Sequence, residues 1–258
     1  MIALRPALPI AAYNFATFRQ NWKGATFLYV ISPLLFLGSM GVGLGGLVGR
    51  SRGAIDGVSY LQFLAPGLLA TTAMQTATAD MTYPIMTRLL WNRTYEALLN
   101  TPARVRDVIT GELLWLTLRL LAVSALFYAV AVCFGAGRSP EAVLAIPVAV
   151  LTGLAFGVPV LAYTATTRGD NGFNVLNRFV VLPLFLLSGS FFPLTQLPLF
   201  LQAIAWALPV THGVELCRAL FLGRAGSAAS VGHLVALLAF VTAGLFAAQR
   251  TMTRRLVV

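Results

Sequence analysis

Acidic residues are scarce in this sequence. Asp and Glu together number 8 in 258 residues, and charged residues of both signs make up 10% of the chain. Soluble domains are about 25% charged. With so little polar material, a water-soluble fold of this length could not cover its own surface. Imidazole and thiol are scarcer still, with 2 His and 2 Cys. Cys133 and Cys217 cannot build a disulfide framework, and they form no Cys-x-x-Cys pair. Cys133 closes an apolar run and reads as a small buried hydrophobe. The His-Glu-x-x-His pattern of a zinc hydrolase is missing. His212 and Glu215 share a helix face and could offer two ligands, but His233 is the sole further imidazole. No metal is expected, and a hydrogen-bonded pair steadying a turn is the plainer reading of His212 and Glu215.

A phosphate-binding loop is also missing. The nearest stretch, Gly43-Leu-Gly-Gly-Leu-Val-Gly49-Arg50-Ser51, has Leu44 where the first glycine belongs and Arg50 in place of lysine. Gly41, Gly43 and Gly46 match a dinucleotide fingerprint by spacing alone, inside an apolar run rather than after a strand. Close helix packing through Gly41, Gly45 and Gly49 accounts for them better.

Hydrocarbon dominates what is present. The chain is 58% hydrophobic, with a mean hydropathy of +0.82, so lipid must be the solvent for much of it. Six runs approach the roughly 20 apolar residues that a membrane-spanning helix needs. They cover residues 25–48, 60–82, 108–134, 142–166, 173–192 and 231–249. Ahead of them, residues 1–24 lack a signal-peptide core. Tyr13, Phe15, Phe18 and Trp22 alternate there with Asn14, Arg19, Gln20 and Lys23, as in a helix lying at the headgroup level. Pro193, Pro198 and Pro209 break residues 193–223 into halves too short to span, which suggests a re-entrant helical hairpin. The expected fold is an all-α membrane protein forming a single membrane domain.

The net charge is +10, which in a soluble chain would suggest nucleic acid. Here the basic residues lie between apolar runs, so no nucleic-acid partner is expected, and anionic headgroups are the natural counter-charge. With the N-terminus inside, one side carries Arg5, Arg19, Lys23, Arg88, Arg93, Arg104, Arg106, Arg168, Arg178, Arg250, Arg254 and Arg255. The other carries Arg50, Arg52, Arg138, Arg218 and Arg224. The richer side is cytoplasmic by the positive-inside rule, which puts both termini there.

Polar groups inside apolar runs are costly and usually paired. Glu112 and Arg119, seven apart on one helix, share a face that must point into protein. Asp80, at the end of the second run, is placed to meet a basic residue of the third. The loop between them, residues 84–107, is long for a compact fold. Its middle, residues 88–100, has helical composition with Pro102 just beyond.

Four stretches, in order, resemble the membrane subunits of type 2 ABC exporters. They are Tyr60-Leu-Gln-Phe-Leu-Ala-Pro-Gly67; Thr101-Pro102 followed by Asp107 and Gly111-Glu112; Leu187-Ser-Gly-Ser-Phe-Phe-Pro193; and Leu208-Pro-Val-Thr-His-Gly-Val-Glu215 with Arg218 and Gly223. The chain is most similar to the branch that exports nodulation lipo-oligosaccharides and to neighbouring antibiotic-resistance permeases. The resemblance implies a bacterial inner-membrane permease that works as a homodimer with separate cytoplasmic ATPase subunits. It carries no cofactor itself, because ATP and Mg belong to that partner. Residues 88–100 would be the coupling helix, touching the ATPase through Trp91, Arg93, Tyr95, Glu96 and Leu98. Phe185, Phe191 and Phe192 would border the path of a lipid-linked, glycolipid or amphipathic drug-like substrate. Two other readings stay open on the residues alone. One is a proton-coupled transporter using Asp80, Glu112 or Glu215; the other is an intramembrane enzyme using His212 and Glu215.

Overall fold

The computed structural model describes residues 8–44, 57–137 and 139–257, and its regular elements are helices. Helix α1 spans Leu8–Phe36 and runs on into a π-helical stretch, Leu37–Leu44. The sequence suggested an interfacial helix ending near Gly24, but no helix boundary falls there. Trp22 and Lys23 lie outside the described side chains, as do Gly45 and Gly49. A helix of 29 residues is about 44 Å long, longer than a ~30 Å hydrocarbon core. Its first turns can therefore sit at an interface without a break in the backbone.

Helix α2, Tyr60–Met81, starts at Ser59, whose side chain accepts from the Gln62 backbone while Gln62 reaches back to the Ser59 N–H. Pro84 enforces its end, and a short helix α3, Tyr83–Met86, and a π turn, Thr87–Trp91, follow. The coupling segment expected as one helix over 88–100 is divided. After Asn92 and Arg93 the backbone restarts as helix α4, Thr94–Leu99. Arg93 causes the division. It sits in the left-handed region at φ 47, which costs an L-residue about 1 kcal/mol and cannot continue a helix.

Three long helices carry most of the hydrocarbon: α5, Val105–Cys133; α6, Ala145–Thr166, entered through a 3-10 turn at Pro140–Leu144; and α11, Ala228–Val257. Among the described residues these three are long and apolar enough to cross a membrane. Between α6 and α11 lie the shorter pieces. Helix α7, Asn171–Leu176, a π turn, Asn177–Val181, and helix α8, Leu182–Leu187, form one apolar run of 17 residues that ends before the expected residue 192. It stops because Gly189 turns the chain with φ +79. Helices α9, Leu199–Trp206, and α10, Pro209–Phe221, then meet at 86°. Pro209 accounts for this corner, since it lacks the N–H that a helix continuing from α9 would need, while Pro193 and Pro198 lie ahead of α9.

Helices α2 and α6 form the centre. α2 has 17 buried residues among its 22, and α6 packs against α2, α5, α10 and α11. Small residues make these approaches possible. An added Cβ at Gly244 of α11 would meet the Pro159 ring of α6 at 2.8 Å, and one at Gly213 of α10 would overlap Thr152 of α6. The Thr164 hydroxyl of α6 donates to the Met81 carbonyl at 2.7 Å, satisfying an α2 terminus with no helical partner. Cys217 is buried, whereas Cys133 is exposed, contrary to its reading as a buried hydrophobe, because it lies on the outer face of the last turn of α5.

Among the described glycines, the tightest approach to backbone is at Gly67, where a methyl group would lie 2.7 Å from the Ser190 Cα. Gly67→Ala is expected to destabilise the protein by about 1–3 kcal/mol through overpacking. Gly232→Ala, with nothing within 4 Å of the new carbon, is expected to leave stability unchanged or slightly raised. Thermal unfolding of both variants in detergent measures the difference.

Candidate functional site

The start of α5 sets the geometry of a polar cluster. The Asp107 carboxylate accepts from the Arg104 backbone N–H at 2.8 Å and closes the first turn. Glu112, five residues further on, then faces inward and is 1% exposed. A carboxylate so buried needs partners, because desolvation costs several kcal/mol. Three parts of the chain supply them. Asn14 Nδ2 of α1 donates to Oε2 at 2.9 Å, Arg88 Nη1 of the π turn donates to the same oxygen at 2.7 Å, and the Tyr95 hydroxyl of α4 donates to Oε1 at 2.8 Å. One carboxylate thus joins the N-terminal helix, both halves of the divided loop and the first long span.

Burial, reinforced by Glu112, holds the Tyr95 phenol well above its ordinary pKa, so Tyr95 remains a donor. For Arg88, burial opposes the charge, but Glu112 and Tyr95 outweigh it and raise the pKa of the guanidinium.

A second ion pair lies beside the first. Arg119 Nη1 donates to Asp80 Oδ1 at 2.7 Å, joining α5 to the end of α2. Asp80 thus finds its partner about four turns into α5, rather than among its opening residues. The Arg119 guanidinium lies over Phe18 at 5.7 Å, and Phe18 and Phe15 pack on Trp115 at 5.7 and 6.4 Å. Glu112 and Arg119 line a common cleft of about 230 Å³; each has a partner from another element. Arg106 and Gln249 add the last helix to this end: with its side-chain oxygen turned toward Arg106, Gln249 accepts two hydrogen bonds at 3.0 and 2.7 Å.

The loop residues expected as contacts divide by exposure. Trp91 is 62% exposed, and Arg93 and Glu96 are exposed with their charged ends 3.9 Å apart. Leu98 is half-buried against the core. Tyr95 faces the other way: it is 1% exposed, and its hydroxyl is committed to Glu112. Its expected role as a surface contact is corrected to an internal strut. Asn14, Arg88 and Trp115 were not singled out by sequence reasoning. Asn14 reads as one polar residue among headgroup-level aromatics, and only its burial shows that it points the other way.

At the opposite end, His212 and Glu215 do not pair with each other. His212 Nδ1 lies 2.9 Å from His233 Nδ1, and the Trp206 ring stacks on His233 at 5.7 Å. Glu215 accepts from Arg218 Nη1 at 2.6 Å. Helical spacing placed His212 and Glu215 on one face, but α11 supplies the nearer imidazole. Among the described residues no group of three or more His, Cys, Asp or Glu could hold a metal ion. Phe185 and Phe191 touch at 5.0 Å and meet Phe36 of α1 at 6.4 and 6.2 Å, while Phe192 is half-buried beside them.

Long apolar helices around a thin seam of buried ion pairs define a multi-pass membrane protein rather than a soluble enzyme. Comparison with known proteins specifies it further. Residues 11–222 match the ABC-2 type transporter family, and the chain belongs to that family as the membrane subunit of an ABC transporter. It is similar to Nodulation protein J of Sinorhizobium fredii (strain NBRC 101917 / NGR234), at 34% identity over 257 residues and 96% of each chain. It is also similar to Nodulation protein J of Rhizobium meliloti (strain 1021), at 33% identity over 259 residues and 97% of each chain. A more distant relative is the inner membrane transport permease YadH of Escherichia coli (strain K12), 27% identical over 214 residues, covering 83% of this chain and 82% of that one.

Removing a partner from a buried charge costs about 3–5 kcal/mol. Glu112→Ala leaves Arg88 without its carboxylate and is expected to unfold or strongly destabilise the protein. Tyr95→Phe, which deletes one hydrogen bond to a charged group, is expected to cost about 1.5–3 kcal/mol. In a double-mutant cycle of Tyr95→Phe with Glu112→Gln, read by thermal unfolding, the two effects should be non-additive.

Proposed function

We propose that the chain is the membrane-spanning subunit of an ATP-driven exporter. It takes its energy from a separate cytoplasmic ATPase, where ATP and Mg are bound, and it moves a lipid-linked, glycolipid or amphipathic drug-like molecule outward. The observation that carries this reading is the Glu112 cluster. It ties an exposed, divided loop to α1 and α5 through buried charge-assisted bonds. A partner pressing on Trp91, Arg93 and Glu96 would then move Tyr95 and Arg88, and with them the carboxylate that both helices share. Aromatic and arginine anchors suit such a contact. A differential contact energy of a few kcal/mol is enough to shift an access equilibrium by orders of magnitude.

The orientation follows from charge. Asn14 of α1 and Gln249 of α11 both reach the cluster's end of the bundle, the end rich in Lys and Arg. We therefore assign both termini and the loop to the cytoplasm of a bacterial inner membrane, with the corner between α9 and α10 re-entering from the outer side. Val175, Phe179, Leu182 and Leu186 of the α7–α8 run are exposed, as are Leu34 and Leu35 of α1. This face fits a second copy of the permease, with the substrate path between the copies and Phe185, Phe191 and Phe192 along its border. The resemblance of its sequence motifs to the nodulation lipo-oligosaccharide exporter branch puts a lipo-oligosaccharide among the candidate cargoes.

Trp91→Ala with Arg93→Ala is expected to abolish co-purification of the ATPase, or to uncouple ATP hydrolysis from transport, while the permease still folds. Transport that persists without any ATPase would instead favour proton coupling through Asp80, Glu112 or Glu215. A cysteine placed at Asn100 should be shielded from impermeant reagents added outside intact cells. Labelling from the outside would reverse the topology and remove the basis for coupling.

A further inference from the structure

About 17 residues, or roughly 25 Å of helix, separate Asp80 at the coupling end of α2 from Phe63 near its start. At the Phe63 end, α10 and α11 enclose a cavity of about 510 Å³. Its chemistry is lopsided. Arg218, Arg224, Ser227, Ser230 and His233 line it, and Glu215 is the one carboxylate in its wall among the described residues. Phe63, Ala219 and Leu222 give it an apolar side.

Arg218 is built in. It is 7% exposed, and its guanidinium lies over the Phe63 ring at 3.9 Å. Nη1 donates to Glu215 Oε1 and Nη2 to the Gly189 carbonyl, both at 2.6 Å. These contacts hold the planar fork in place, so little side-chain entropy remains to be lost when an anion arrives. Among the described residues, Glu215 is the carboxylate paired with Arg218. Arg224 is exposed, and among the described residues no carboxylate lies within ion-pair distance of it. The Ser227 and Ser230 hydroxyls lie 3.1 Å apart in the opening turn of α11 and add rotatable donors.

Donors and positive charge therefore converge beside an aromatic and aliphatic wall. We propose that this cavity binds the phosphate of an amphipathic molecule, whose hydrocarbon lies against Phe63 and Leu222. Arg224 and the two serines take the phosphate oxygens, and Arg218 supplies the fixed positive field behind them. A phosphate fits better than a carboxylate, because its several acceptor oxygens can use the guanidinium and both hydroxyls at once. Its source is either a phospholipid headgroup or a phosphorylated cargo. The inference extends the proposed function to the far end of the bundle but does not depend on the ATPase.

The test uses the purified full chain in dodecyl maltoside, titrated with dodecyl phosphate and followed by calorimetry. In parallel, native mass spectrometry scores retention of phosphatidylglycerol. The variants are Arg224→Gln and the pair Ser227→Ala with Ser230→Ala; all three side chains reach the cavity, and their loss leaves the Arg218–Glu215 pair intact. Thermal unfolding checks that each variant folds. The expected result is saturable binding of at least one probe by the wild type, weakened about tenfold in Arg224→Gln, the weight of one charge-assisted hydrogen bond. Retention of phosphatidylglycerol lost in the variants assigns the site to a lipid headgroup. Saturable binding of dodecyl phosphate without lipid retention assigns it to cargo. Binding that is absent in the wild type, or equal in folded wild type and variants, overturns the proposal. Because no ATPase is present, that failure would leave the coupling reading standing.

Discussion

A carboxylate sealed from water has to be answered by donors, and the coupling end of this protein is organised around that requirement at Glu112. The apolar packing of α5 would tolerate many small displacements of its neighbours. The carboxylate does not, because its bonds of 2.7–2.9 Å to Asn14, Arg88 and Tyr95 weaken steeply when stretched or tilted. Three segments that share few other contacts are thereby held in one register. The Asp80–Arg119 pair repeats the arrangement one layer along and fixes α2 to α5. Hydrophobic burial gives this end its cohesion, and the ion pairs give it a defined geometry.

This constraint also explains the shape of the loop between α2 and α5. If residues 88–100 formed one straight helix, Arg88 and Tyr95, seven residues apart, would extend along a single axis. The left-handed backbone at Arg93 breaks that axis. Both side chains reach the same carboxylate while Trp91, Arg93 and Glu96 face outward. The strain at Arg93 is small beside the bonds it permits. Strained non-glycine residues persist where the surroundings over-determine them, and here the surrounding element is the Glu112 cluster.

The two ends of the bundle differ in chemistry although the middle is uniform. The core around α6 relies on close approach, with Gly213 of α10 against Thr152 and Gly244 of α11 against Pro159, and none of the ion pairs among the described residues involves α6. The paired charges lie toward the two ends of the bundle, although Arg119 itself sits at the middle of α5. At one end they are paired and buried around Glu112. At the other, Glu215 pairs with Arg218 and Arg224 lines the same cavity, near an imidazole pair that packs on Trp206. A rigid apolar middle with polar ends suits a protein in which movement at one end must be felt at the other.

Hydrophobic run length and charge placement belong to the sequence alone, and they determined the membrane character and the all-helical class. Those properties depend on local composition and on the cost of placing backbone or charge in hydrocarbon, so no neighbour is needed to read them. Partner choice is different. That Glu112 takes Asn14, Arg88 and Tyr95, that Tyr95 turns inward, and that His212 takes His233 rather than Glu215 were decided by which helices pack side by side. Helical spacing puts a residue on a face but does not say what that face meets. Only the tertiary structure brings together groups as far apart as 98 positions, as with Asn14 and Glu112.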